Sequence, residues 1–195
     1  MPPASKKILV LRAESQSENL LTKEQGQHIY GRVRNELKGL PCPGLLVLDF
    51  LGIQHITLTC LHQILKLFYE RDREEWANKC LLIRLQNANS DIKACLSLVA
   101  KEDALALLCC DAVGNWEILG KLTHALNITL EVVQQLGRAT SEQVSQELGL
   151  SLSAASNRLR QLYEMRLVIR EEGSLPITGG RRFVYAFVLS YPFRE

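Results

Sequence analysis

The sequence predicts two modules in series: an α/β domain with a mixed sheet covered by helices, then a smaller α+β domain built as helix, turn, helix and hairpin. Three observations predict this. Up to about residue 114, apolar runs of strand length alternate with amphipathic runs of helix length, which argues a covered sheet rather than a bundle. Between Thr140 and Leu162, two helical stripes are separated by Gly149-Leu150-Ser151. From Leu167 to Val188, two β-prone runs flank a Gly-rich stretch. With 195 residues, the chain suffices for one large domain or two small ones. The junction carries no Gly/Ser-rich linker, so a stiff helical joint is expected. The expected division is 1–114 for the α/β domain, 115–128 for a connecting helix and 129–195 for the C-terminal domain.

In chain order, Lys7-Ile8-Leu9-Val10-Leu11-Arg12 reads as a first strand. Thr22-Lys23-Glu24-Gln25 has the spacing of a capping box and opens a helix to about Lys38, with Gly26, Ile29, Val33 and Leu37 on one face. Leu45 to Phe50 is continuously apolar up to Asp49, as expected of a strand buried on both faces. Thr57 or Thr59 caps the next helix, whose stripe is Leu61, Ile64, Leu65 and Phe68. Cys80 to Leu85 reads as another strand, and Asn89-Ser90-Asp91 caps a helix through about Lys101. Ala104 to Cys110 fits either a last strand or more helix. Trp116 to Leu126 is expected to be the connecting helix, with Ile118, Leu119, Leu122 and Leu126 at helical spacing.

In the C-terminal module, Thr129 to Leu136 reads as a first helix ended by Gly137. A second opens at Ser141, carries Val144 and Leu148, and stops at Gly149, which enters the left-handed region without Cβ strain. Ser151 is a good N-cap for the third helix, where Leu152, Ala155, Leu159 and Leu162 form the predicted buried stripe. At about 100° per residue, Ser153, Asn157 and Arg160 project from the opposite face, with Ser156 and Gln161 beside them. Serines, an amide and a guanidinium on one short helix, with little acid near its start, suit the floor of a DNA major groove. Leu167 to Glu171 and Arg182 to Val188 are the hairpin strands around a 173–180 loop, and Arg181 and Arg182 stand where that loop rejoins the strand.

Formal net charge is only +2, so global charge does not announce a nucleic-acid partner. The first 120 residues carry 14 basic and 14 acidic side chains; the remainder carry 9 basic and 7 acidic, and all but one of those 9 cations are Arg. The excess therefore falls in the part that would meet phosphates and bases. The six cysteines include no Cys-x-x-Cys pair and no Cys/His cluster with zinc spacing, so neither a metal nor a cofactor is expected. Most lie in apolar runs and read as buried thiols in a reducing cytosol; Cys109-Cys110 or Cys42 as a redox sensor is the alternative. The segment Met1 to Lys7 lacks the apolar core of a signal peptide, and no run approaches the ~20 apolar residues of a membrane span, so a cytoplasmic protein is expected. There is no Gly-rich phosphate loop. Asp49 and His55, with Thr57 or Cys60, could be drawn as an acid–base pair and nucleophile, but nothing in the spacing requires it, and no enzyme is expected.

Two resemblances sharpen the expectation. Ala139 to Ser151, Arg158-Leu159-Arg160-Gln161-Leu162 and Leu167-Val168-Ile169-Arg170 together resemble the winged helix-turn-helix of bacterial transcription regulators of the MarR and ArsR kind, over about the last third of the chain. Arg166 departs from that pattern, which usually has Gly closing the recognition helix. The resemblance implies duplex-DNA contact by Ser151, Ser153, Ser156, Asn157, Arg160, Gln161, Arg181 and Arg182, in a homodimer. Leu46 to Leu61 looks like the strand-to-helix junction of a STAS domain, the fold of anti-sigma-factor antagonists. There a Ser at the helix start is phosphorylated; here Leu58 aligns with it, leaving Thr59 and Thr57 as phosphorylation candidates that otherwise act as caps. The expected function is a bacterial transcription regulator with a sensing or protein-interaction domain at its N-terminus. The alternative is an interaction protein of the sigma-factor-control type, whose STAS-like domain docks a kinase-like ATPase and whose winged helix is an adaptor.

Overall fold

The computed structural model describes residues 4–66, 81–173 and 182–194. The chain divides into two compact units, Met1–Lys121 with Phe193–Glu195, and Leu122–Pro192. Both mix helix and strand.

The first unit runs β1 (Ser5–Val10), α1 (Leu11–Ser15), β2 (Asn19–Leu20), α2 (Lys23–Gly39), β3 (Gly44–Asp49), β4 (His55–Ile56), α3 (Leu58–Leu65), β5 (Leu81–Gln86), α4 (Ser90–Glu102), β6 (Ala106–Cys110) and β7 (Trp116–Gly120). Its five-stranded sheet has the order β1-β3-β5-β6-β7. Four strands are parallel and β7 is antiparallel at the edge, so the sheet is mixed. All six residues of β3 are buried, which explains why its sequence is a continuous apolar run rather than an alternation. Leu46 and Leu48 join Leu9, Ile83, Leu85 and Leu107 in one core with α2, α3 and α4. Leu45, Val47, Leu82, Leu108 and Cys110 alternate with these and are buried too.

Each long helix has the cap its sequence predicts. Thr22 accepts from the Gln25 amide, and the Gln25 side chain accepts in turn from the Thr22 amide. Thr57, not Thr59, caps α3 by accepting from the Cys60 amide at 3.2 Å. Asn89 caps α4 through the Ile92 amide. Gly26, Ile29, Val33 and Leu37 are buried along α2. A Cβ at Gly26 would stand 2.5 Å from the Cys60 carbonyl oxygen, so the α2–α3 approach depends on that glycine.

Several expectations need correction. The first strand starts at Ser5 and stops at Val10, and Leu11 and Arg12 begin α1. Ala106–Cys110 is a strand, which decides between the two readings of that run. Residues 115–128 are not a connecting helix: Trp116–Gly120 pairs antiparallel with β6. The cause lies just before it. The Asp111 carboxylate accepts from the Val113 and Asn115 amides and from the Asn115 side chain, and Gly114 sits at φ +93°, so 111–115 closes a hairpin. Leu119 and Glu117, two residues apart and so on one face of β7, then meet the core and Lys93 respectively. Lys121 and Leu122 follow outside any element, and Thr123 caps the next helix. Phe68 and Cys80 lie outside the described residues.

The second unit runs α5 (His124–Leu136), β8 (Arg138–Thr140), α6 (Ser141–Leu148), α7 (Leu152–Glu164), β9 (Val168–Gly173) and β10 (Arg182–Phe187). Its helix α5 thus begins five residues before the expected Thr129. The three strands form an antiparallel sheet in the order β8-β10-β9. Its buried apolar side chains include Leu126, Leu130, Val133, Val144, Ala155, Leu159, Leu162, Val168 and Phe187. A 3-10 turn at Val188–Ser190 ends the unit. Arg194 then lies on the edge of β1, exchanging main-chain hydrogen bonds with Ala4 and Lys6 and covering an otherwise open strand edge.

Two glycines of α2 should respond oppositely to alanine. Gly26→Ala forces a Cβ into the Cys60 backbone and should cost about 1–3 kcal/mol. Gly31 has no atom within 4 Å of a built Cβ, and Gly31→Ala should stabilise by about 0.5–1 kcal/mol through helix propensity. Urea unfolding of the two variants, followed by circular dichroism, measures both.

Candidate nucleic-acid interface

The outward face of α7 is set by its ends and its buried stripe. Thr140 caps α6 in a capping box with Gln143. Gly149 ends that helix in the left-handed region at φ +61°. The Leu150 amide donates to the Ser145 carbonyl at 3.0 Å, and the Ser145 hydroxyl donates to the Leu150 carbonyl at 2.6 Å, which fixes the turn. Ser151 then accepts from the Ala154 amide at 3.2 Å and starts α7. Ala155, Leu159 and Leu162 are fully buried.

Ser151, Ser153, Ser156, Asn157, Arg160 and Gln161 are all exposed, so the structure brings six of the eight predicted contact residues onto one helix surface. Arg158 is half-buried beside the core. Leu152 leaves the predicted stripe: it is 52% exposed, because the first turn projects beyond the core that the later turns cover. No acidic residue occupies the first turn, so nothing opposes the positive end of the helix dipole. Glu164 lies 3.8 Å from Arg160, with both side chains about 60% exposed, a pair that solvent screens.

The exit from α7 is made by Arg166 at φ +62°, the left-handed turn that Gly usually supplies. The Leu167 amide donates to the Leu162 carbonyl and the Arg166 amide to that of Tyr163, closing the helix. The hairpin follows in register, Arg182 opposite Gly173 and Tyr185 opposite Arg170. Arg181, the side chain of Arg182 and the loop 174–180 lie outside the described residues. On one side of β9, Glu171 is held by Arg138 and by the Tyr191 hydroxyl at 2.6 Å.

On the other side stands a residue that neither periodicity nor motif singles out. The Arg170 guanidinium lies over the Tyr163 ring at 4.3 Å and over the Phe183 ring at 4.4 Å. Tyr185, opposite Arg170 in the strand register, is buried. Burial pushes the Tyr185 phenol up, and the charges of Arg170 and Arg160 partly oppose that. The signal in the sequence is the alternation Phe183, Tyr185, on a strand whose register the sequence does not disclose.

In the first unit, Asp49 is buried and accepts from the Leu51 amide and the Asn87 side chain, both at 2.9 Å, which is a loop-closing role. Thr57 donates to the Leu21 carbonyl as well as capping α3, and Thr59 is exposed in the first turn. Among the described residues, no group of three or more His, Cys, Asp and Glu is placed to hold a metal ion. Among them, too, no helix is long and apolar enough to cross a membrane. Comparisons with protein-family models, with curated proteins and with solved structures find no match.

No disulfide joins any of the five described cysteines. Burial raises the thiols of Cys60 and Cys109 to about 11 and that of Cys110 in the same direction, while Cys42 is exposed. Thiolate is the reactive form, so iodoacetamide at a pH of about 7.5 should label Cys42 well before Cys60, Cys109 or Cys110. Peptide mapping by mass spectrometry reads the order, and denaturant should abolish it.

Proposed function

We propose that the second unit is a winged helix-turn-helix that binds duplex DNA, and that the chain is a bacterial transcription regulator. The observation that carries this reading is the exposed face of α7, where Ser153, Ser156, Asn157, Arg160 and Gln161 stand together without acid in the first turn. The element order of the unit, with a hairpin directly after α7 and Arg181 and Arg182 at its loop, agrees with it. In this reading α7 enters the major groove and the hairpin loop meets phosphates or the minor groove. The first unit is read as a STAS-like domain that receives a signal or a protein partner. Both units bind; neither is assigned catalysis.

The partner role of the first unit draws support from exposed apolar side chains near the start of α3. Leu51 is 62% and Leu58 38% exposed, and Leu21, also exposed, offers its carbonyl to Thr57. The same observation favours the second reading, an adaptor of the sigma-factor-control type that docks a kinase-like ATPase there. Phosphorylation at Thr59 or Thr57 belongs to that reading: exposed Thr59 is accessible, whereas a phosphate on Thr57 would break its cap and its bond to Leu21.

A homodimer is proposed because helix-turn-helix proteins usually read two half-sites about one helical turn apart. The run 116–126, expected as a connecting helix, offers no continuous helical seam for it, since Trp116–Gly120 is a strand and a helix starts only at His124. Light scattering at micromolar concentration should give twice the 22.0 kDa chain mass; a monomer removes the dimer.

Selection of bound sequences from random duplexes, followed by titration at several salt concentrations, tests DNA binding itself. Asn157→Ala should cost about 1–3 kcal/mol on the selected site and flatten sequence preference. Arg181→Ala combined with Arg182→Ala should weaken all duplexes alike. It should also reduce the slope of log affinity against log salt by roughly 0.9 for each phosphate no longer neutralised. Unchanged affinity in both variants would remove the DNA reading and leave the adaptor.

A further inference from the structure

The surface of α7 changes chemically along its length. The exposed side chains of its first two turns are Leu152, Ser153, Ser156 and Asn157, and none of these is charged. Exposed charge begins only in the third turn, with Arg160, which has Glu164 3.8 Å away. Ser151 is engaged at the N-cap, where it accepts from the Ala154 amide and lies 3.2 Å from the Ser153 hydroxyl. Asn157 is exposed, and its side-chain amide makes no hydrogen bond with another described residue. Leu152 leaves 52% of its surface in solvent at the start of the helix. Each base edge in the major groove calls for a particular partner. Guanine takes Arg or Lys, cytosine a carboxylate, adenine an Asn or Gln amide, and thymine an apolar contact with its 5-methyl group; hydroxyls serve several. The N-terminal residues of a recognition helix are those that reach base edges. At that end of α7 the exposed side chains include no partner for guanine or cytosine, and one each for adenine and thymine.

We propose that α7 reads A·T pairs: the Asn157 amide bonds N6 and N7 of an adenine, and Leu152 packs on the 5-methyl group of a thymine. The inference rests on the DNA-binding reading and deepens it by naming the bases. The Asn157 amide breaks no internal hydrogen bond to make this contact, and Leu152 removes apolar surface from water by making its own. At about 100° per residue the two side chains stand roughly 140° apart around the axis, with Ser156 between them. A groove about 12 Å wide encloses a helix of about 10–12 Å diameter closely enough to meet both flanks. Along the axis they are about 7.5 Å apart, which places both contacts within one half-site.

The test uses the full chain and the duplex selected from random sequences, remade with altered bases. Replacing thymidine by 2′-deoxyuridine removes only the 5-methyl groups. Replacing adenine by 7-deazaadenine removes only the N7 acceptors. For the wild type, the first replacement should weaken binding by roughly fourfold for each methyl group contacted. The second should weaken it by roughly five- to tenfold. Leu152→Ala should bind the thymine and uracil duplexes equally while keeping its sensitivity to 7-deazaadenine. Asn157→Ala should lose the sensitivity to 7-deazaadenine and keep that to uracil. Both side chains are exposed, so neither variant removes a core contact. Indifference of the wild type to either replacement overturns the proposal. So does a sensitivity that both variants retain, which assigns it to duplex shape instead. Wild-type protein that binds no duplex removes the underlying DNA reading and this inference with it; the first two failures leave that reading intact.

Discussion

Helix α7 has to bury Ala155, Leu159 and Leu162, and the rest of the second unit follows from that. Three apolar side chains at spacings of four and three fix the rotation of the helix about its axis. With the rotation fixed, the positions about 180° away have no choice but to face solvent, and these are Ser153, Asn157 and Arg160. The ends determine how far the helix reaches. Gly149 and Ser151 set its start within a three-residue turn, and Arg166 sets its exit by taking a left-handed conformation. A non-glycine residue there costs on the order of 1–2 kcal/mol. The cost is tolerated because the 162–167 closure hands the chain directly into β9 at Val168, whose side chain is fully buried.

The first unit obeys a different constraint. A strand buried on both faces must have covered strands on either side, and β3 has β1 and β5. That arrangement is purely parallel as far as β6, and parallel sheets leave their outer strands open to further pairing. Short additions follow on both sides, and β7 becomes the new edge strand. At one edge the hairpin around Asp111 returns β7 antiparallel onto β6. At the other, Arg194 lies along β1. The chain therefore uses its last residues to finish a sheet begun by its first.

Much of this was legible in the sequence where one local signal dominated. Thr22 with Gln25, Asn89 and Ser151 each cap the helix expected of them, because a hydroxyl or amide followed by an amphipathic run has few other uses. The doubly buried β3 was readable from its unbroken apolar run. The run 116–126 was not, because Ile118, Leu119, Leu122 and Leu126 fit a helical period while the deciding information lay upstream, in the side-chain bonds of Asp111. Leu152 was misplaced because periodicity gives the direction of a side chain and not whether anything lies in that direction. Arg170 was invisible for a third reason. Its significance needs the register of β9 on β10 and the last turn of α7 at once, and neither is a property of its own neighbourhood in the sequence.

Electrostatics decides what kind of binding such a unit can support. An excess of two positive charges over the whole chain gives little long-range attraction, since exposed charges are screened beyond about 8 Å at physiological salt. Binding by diffuse charge is therefore the weak option, and placement has to achieve what quantity achieves in strongly basic proteins. The chain's cations are disposed accordingly. Those of the second unit are all Arg, whose planar fork and weak hydration favour fixed, short-range contacts over a general field. Glu171 is held by Arg138 and Tyr191, while Arg170, its neighbour in sequence, faces the other way, against the Tyr163 and Phe183 rings. Alternation along a single strand thus separates an acid from a base at adjacent positions, with Glu172 on the same side as Arg170. That side is the one that carries Tyr185 and meets the last turn of α7.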